Sequence, residues 1–178
     1  MLKNAVTDEQ LNQIRTLYEI SFPKSEKKSF QMMLQKRGLF EFLSIENEEG
    51  NFCGLAIMVL SGELVLLDYL AVKPECQGAG LGSIVLRELQ ERYGRERIVV
   101  EIETTTGLEA EKAENLRDRL RRKGFYLKNG MKPADFHVKL LGVEMEVLTF
   151  GRELTFEAYV SIYEKVFPGE TGDKIWLL

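Results

Sequence analysis

The chain is poor in the residues that build metal sites and disulfide frameworks. Its 178 residues include two cysteines, Cys53 and Cys76, and one histidine, His137. Two cysteines do not make a disulfide framework, and with a single histidine they leave too few soft ligands for a dedicated zinc site, so no metal is expected. No signal-peptide apolar segment opens the chain, so both cysteines are read as reduced thiols in a cytoplasm. No apolar run approaches the roughly 20 residues that span a bilayer, and no membrane partner is expected. A basic excess is also missing. Lys and Arg number 24 against 28 Asp and Glu, the formal charge is −4 and the pI is about 5.3, which gives no support for a nucleic-acid binder. Neither repeats nor linkers are evident. What is present is ordinary globular material, 44% hydrophobic and 29% charged, in a length that suits one domain over residues 1–178 with a sizeable core.

The order of elements can be read along the chain. Thr7-x-x-Gln10 is a capping box, followed by Leu11, Ile14 and Tyr18 at helical spacing up to Pro23. A second helix is expected from about Ser29 to Arg37. Three antiparallel strands follow, Phe40 to Glu46, Phe52 to Leu60 and Leu64 to Val72, joined by turns at Asn47–Asn51 and Ser61-Gly62. A helix from Leu81 to about Arg92 leads to a strand over Ile98 to Glu103, and strand–helix–strand in that order calls for a right-handed, parallel crossover. A long helix is expected from Leu108 to about Asn129, with Ala113, Leu116, Leu120 and Leu127 as its apolar stripe. Strands Phe136 to Leu141 and Glu144 to Phe150 and a final helix capped by Thr155 complete the chain. The class is α/β, a mixed, centrally parallel twisted sheet flanked by helices.

The most informative stretch is Val72-Lys73-Pro74-Glu75-Cys76-Gln77-Gly78-Ala79-Gly80-Leu81-Gly82-Ser83. An apolar strand, a glycine-rich turn and a helix start converge backbone N–H groups at the positive end of a helix, which favours a phosphate-bearing ligand. Two common readings fit poorly. A P-loop needs Lys before the Ser/Thr, and Gly82 stands there. The dinucleotide fingerprint Gly-x-Gly-x-x-Gly is missed by one residue.

Gln77-Gly78-Ala79-Gly80-Leu81-Gly82, after an apolar strand and Val-x-Pro, resembles the acetyl-CoA motif of the GNAT superfamily of N-acetyltransferases. Arg121-Arg122-x-x-Phe125-Tyr126-x-x-x-Gly130 resembles a segment of one bacterial subgroup, departing from it at Met131, and Ser21-Phe22-Pro23 is similar to it as well. The order of elements is also the GNAT order. This resemblance implies that Gln77, Gly78, Ala79, Gly80, Leu81, Gly82 and Ser83 hold the pyrophosphate of acetyl-CoA. It also implies that the backbone of Leu70, Ala71 and Val72 pairs with the pantetheine arm, and that Tyr126, four residues before Gly130, protonates the departing thiolate.

A base is needed because a lysine-like amine with a pKa near 10.4 costs about 4.6 kcal/mol to hold neutral at pH 7. Glu101 and Glu103, two apart on one strand face, are the candidates, and Asp68 is a weaker third. Cys76 is not expected to act as a nucleophile, His137 reads as a structural residue, and Lys24 to Lys28 as a solvated face. The expected activity is transfer of acetyl from acetyl-CoA to a primary amine, small molecule or peptide, by direct attack on the thioester. The alternatives are a non-catalytic acyl-CoA sensor and a dinucleotide-dependent oxidoreductase. The terminal strands and helix offer a route to a homodimer.

Overall fold

A computed structural model describes residues 1–24, 26–78 and 80–178, so Ala79 of the expected coenzyme loop lies outside the described residues. The chain is mixed α/β, with eight strands among the described residues, and it divides into two compact units.

The first unit comprises Met1–Leu60 and Leu67–Tyr93. Helix α1, Asp8–Ser21, starts where expected because Thr7 accepts the Gln10 N–H while the Gln10 side chain caps the Thr7 N–H. Helix α2, Phe30–Gln35, is capped by Ser29 and stops two residues before the expected end. Strands β1 (Leu2–Asn4), β2 (Phe40–Glu46), β3 (Phe52–Ser61) and β4 (Leu64–Val72) lie side by side in chain order. The antiparallel register of β2 and β3 pairs Phe42 with Ile57 and Ser44 with Leu55. Nearly all of β3 is buried on both faces, which explains its run of Leu55 to Leu60 without polar alternation. Helix α3, Leu81–Tyr93, buries Val85, Leu86, Leu89 and Tyr93. The one strand that pattern reading missed here is β1, whose three residues pair with Leu43 to Ile45; so short a segment carries no periodicity.

The second unit comprises Ser61–Leu66 and Gly94–Leu178. Its strands are β5 (Ile98–Glu103), β6 (Lys132–Leu140), β7 (Val143–Thr149) and β8 (Ile175–Leu177), in the order β5-β7-β6-β8. All three neighbouring pairs are antiparallel. Strand β6 starts four residues before its expected start and takes in Pro133, beside a register irregularity between Pro133 and His137, the kind of position where a strand tolerates proline. The expected long helix is two: α4, Gly107–Glu111, and α5, Leu116–Lys128. Helix α6, Phe156–Val166, is capped by Thr155 and buries Tyr159, Ile162 and Tyr163.

Candidate active site

In the first unit, the glycine turn is built on the ends of β3 and β4. The Lys73 N–H donates to the Cys53 carbonyl at 2.8 Å, so the strands stay tied together up to the turn. Gly54 is required beside this point, because a Cβ on it would stand 2.3 Å from the Ala71 carbonyl oxygen; sequence reading treats it as one more strand residue. Pro74–Cys76 then forms a single 3₁₀ turn with Pro74 at its start, where a fixed φ helps and no N–H is needed. The Gln77 side-chain amide donates back to the Val72 carbonyl at 2.8 Å, bracing the turn.

Gly78 and Gly80 follow with φ of +93° and +76°, values that side chains bearing a Cβ rarely adopt. A Cβ on either would meet nothing within 4 Å. The space in front of this backbone is open, and only glycine keeps it so. The Gly80 carbonyl accepts from Ser83 and Ile84 and closes the first turn of α3, which contains Leu81, Gly82 and Ser83 and no acidic residue. Helix geometry points the first N–H groups along the axis toward that open space. Leu70, Ala71 and Val72 are half-buried, whereas Leu64 to Leu67 are buried, so the last part of β4 is the accessible part. These residues fit a pyrophosphate-bearing carrier.

Cys53 and Cys76 are joined as a disulfide, with Cα atoms 5.7 Å apart. This corrects the expectation of two reduced thiols. Charge and compartment arguments cannot see that the β3–β4 pairing brings position 53 beside position 76. Closing a loop with a sequence separation of 23 adds about 3 kcal/mol by restricting the unfolded chain.

Asp68 does not face solvent. Its Oδ1 accepts from Lys28 Nζ at 2.7 Å, and the two side chains are 4% and 8% exposed. Tyr18 and Tyr69 meet edge to face at 4.8 Å beside them, and their hydroxyls donate to the carbonyls of Lys28 and Glu26 at 2.8 Å. The stretch from Lys24 to Lys28, read as a solvated face, therefore ends in a buried cation. The missing signal was long range: one lysine finding one strand carboxylate 40 residues away.

In the second unit, Glu101 and Glu103 both stand on β5, but their surroundings differ. Both oxygens of Glu101 receive the Tyr163 hydroxyl, at 2.9 and 2.7 Å. Glu103 is buried, with Arg119 on one oxygen at 2.7 Å and Arg122 on the other at 3.2 Å, and Asn115 donates to it as well. Glu103 thus fastens the start of α5 to β5. Replacing it with Ala strands the nearly buried Arg119 and should cost about 3 kcal/mol, read as a lower urea midpoint; an unchanged midpoint would refute the pinning role.

Tyr126 is the one buried residue of α5, while Leu120 and Leu127 are 51% and 41% exposed. The expected apolar stripe is thus corrected: the helix turns its tyrosine inward and leaves these two leucines exposed. Burial raises the Tyr126 phenol to about 12, with Arg122 pulling the other way. Phe125 packs against it at 5.1 Å. No described residue is hydrogen-bonded to its hydroxyl.

Sequence reading missed a buried carboxylate, Glu146 on β7. Lys123 Nζ lies 2.5 Å from Oε2, and the Thr105 hydroxyl and N–H donate to Oε1 at 2.6 and 2.8 Å. Burial pushes its pKa up, but the Lys123 and Thr105 bonds outweigh that and leave it below its ordinary value. The folded pKa is the lower one, so its stabilisation is complete above the unfolded value near 4.5 and is lost as pH falls through the folded value. Melting temperature should therefore fall more steeply below about pH 4.5 in the native chain than in Glu146→Gln. Parallel curves would refute it.

Residues 39–133, just over half of the chain, match the family model of the acetyltransferase (GNAT) domain. No curated protein sequence matches. A solved structure from Bacteroides thetaiotaomicron, assigned to the GNAT acetyltransferases, superposes with a TM-score of 0.73 at 19% identity, covering 97% of this chain and 98% of that one. The spermidine N-acetyltransferase of Vibrio cholerae, solved with CoA and spermine, gives 0.59 at 13% identity over 83% and 92% of the two chains. The ribosomal-protein-S18-alanine N-acetyltransferase of Escherichia coli gives 0.60 at 15% over 88% and 96%. At such identities the superpositions establish the fold, while the domain match settles the lineage and displaces the dinucleotide reading. This chain belongs to the GNAT family of acetyltransferases.

Proposed function

We propose that the chain is one acetyltransferase domain, residues 1–178, that transfers acetyl from acetyl-CoA to a primary amine by direct attack on the thioester. The observation that carries this reading is the turn at Gly78 and Gly80. Its two left-handed glycines open onto empty space at the start of a 13-residue helix. Gln77, Gly78, Ala79, Gly80, Leu81, Gly82 and Ser83 hold the pyrophosphate, each charge-assisted bond contributing roughly 1.5–3 kcal/mol. The backbone of Leu70, Ala71 and Val72 takes the pantetheine amides. Tyr126 donates to the leaving sulfur.

For the base, Glu101 is preferred to Glu103. Its oxygens accept from a neutral hydroxyl, whereas those of Glu103 are occupied by guanidinium groups and serve to position α5. Asp68 is the third candidate, and its second oxygen is buried with no partner among the described residues. The acceptor is a small-molecule or peptide amine, the setting is cytoplasmic, and no nucleic acid takes part. Among the described residues no helix is long and apolar enough to cross a membrane. The terminal strands and helix would form a homodimer contact.

A non-catalytic acyl-CoA binder is the second reading, favoured by the burial of Tyr126, which makes the phenol a poorer acid. A thiol-release assay with acetyl-CoA and a panel of polyamines, amino acids and peptides separates the two. Release at least tenfold above hydrolysis with one amine class supports transfer. Coenzyme binding without release from any amine would leave the sensor.

A further inference from the structure

Cys53 and Cys76 bear on the coenzyme loop from the side that sequence reading left unexplained. Cys53 is buried in β3, at 3% exposure. Cys76 is half-buried and adjoins Gln77 and Gly78. Apart from the disulfide, the 3₁₀ turn is held by bonds among its own neighbours, from Cys76 to Lys73, Gln77 to Pro74 and Gln77 to Val72, and by the Lys73–Cys53 backbone bond. The disulfide is the covalent link between this turn and the core strand. Both cysteines line an open cavity of about 540 Å³ that also takes in Gln77 and Leu81 of the loop and α3. Its wall is acidic: Glu46, Glu48, Glu49, Glu75 and Glu88 line it, and Lys3 pairs with Glu46 at 2.5 Å.

We propose that Cys53–Cys76 is a thiol-exchange site whose redox state sets the affinity of the adjoining loop for coenzyme, an inference that rests on the reading of that loop as the pyrophosphate site. A reductant thiolate attacks the more exposed sulfur, Cys76, forming a mixed disulfide and releasing Cys53 as a thiolate. The second thiol of a dithiol reductant then displaces Cys76. The protein gains two electrons and two protons, and the reductant leaves as its own disulfide. In a reducing compartment such a bond is transient and regulatory rather than a permanent staple. Oxidised, the turn is fixed covalently to β3 and the glycines are set in place; reduced, it is tied to β3 by non-covalent contacts such as the Lys73–Cys53 backbone bond and binds coenzyme more weakly. The carboxylates select the exchanging thiol. They repel anionic thiols such as glutathione and admit neutral or cationic ones such as cysteamine, a preference that salt screens.

The test uses the full chain, oxidised with diamide and reduced with dithiothreitol, with free thiols counted by mass after alkylation. Coenzyme A affinity is measured by calorimetry in both states. The expected result is binding at least fivefold tighter in the oxidised form, with the difference abolished in Cys76→Ser and in Cys53→Ser. Cysteamine should reduce the bond at least tenfold faster than glutathione at low salt when compared at equal thiolate concentration. Equal affinity in the two redox states overturns the inference while leaving the coenzyme site standing, and so does failure of diamide to form the bond. Absence of binding in both states overturns the reading of the loop itself. Equal reduction rates for the two thiols overturn the selection by charge.

Discussion

Gly80→Val should weaken coenzyme A binding by about 100-fold or more, measured by calorimetry on folded protein. Two costs combine. At φ +76° a β-branched residue is strained, so the backbone either keeps the turn at a cost of about 1–2 kcal/mol or rearranges and moves the first N–H groups of α3. The new side chain also projects into the open space before the turn, since no atom lies within 4 Å of its Cβ. A phosphate held there would lose one or two charge-assisted bonds, roughly 1.5–3 kcal/mol each. Losing about 3 kcal/mol of such bonds is roughly a hundredfold in Kd. Because the Cβ clashes with nothing, the penalty to folding is confined to the backbone strain. A Kd within threefold of the native value would remove the pyrophosphate from this turn and the proposed function with it. Gly54→Ala makes the contrast. There the Cβ meets the Ala71 carbonyl at 2.3 Å, so the loss should appear first in the melting temperature.

Tyr126→Phe should lower kcat about 100-fold with little change in KM, in the range expected when a positioned proton donor is removed. The phenol is raised to about 12 by burial, while an ordinary thiol titrates near 8.5. Complete proton transfer to a thiolate is therefore strongly uphill. A role as hydrogen-bond donor to developing negative charge on sulfur suits this residue better than outright acid transfer. Such a donor stays neutral over the whole working range, so the alkaline limb of the pH–rate profile should not move when Tyr126 is replaced. Stability should change by about 1 kcal/mol or less, because no described residue hydrogen-bonds to the hydroxyl that is lost. Unaltered kcat would confine Tyr126 to packing and leave proton donation to another group.

The local elements were legible in the sequence because their causes are local. Thr7 with Gln10, Ser29 and Thr155 cap helices through contacts three residues away, and the alternation or continuity of apolar residues set β2, β4 and β5 at the expected bounds. The glycine turn was legible for the same reason: positive φ at Gly78 and Gly80 is a property of the residue and its immediate neighbours.

Harder to read was α5. Periodicity put its leucines inward, but the face a helix buries depends on the strands and helices around it, and here the burial falls on Tyr126.

The sequence by itself determined the α/β class, the caps, the bounds of β2, β4 and β5 and the glycine turn, all of which depend on residues within a few positions of one another. Tertiary structure alone decided the pairings: Lys28 with Asp68, Glu103 with Arg119 and Arg122, Glu146 with Lys123, and Cys53 with Cys76. Each joins groups 16 to 40 residues apart. Whether a charge is solvated, paired or poised for chemistry is set by the dielectric and partners that folding brings to it, and no local pattern encodes those.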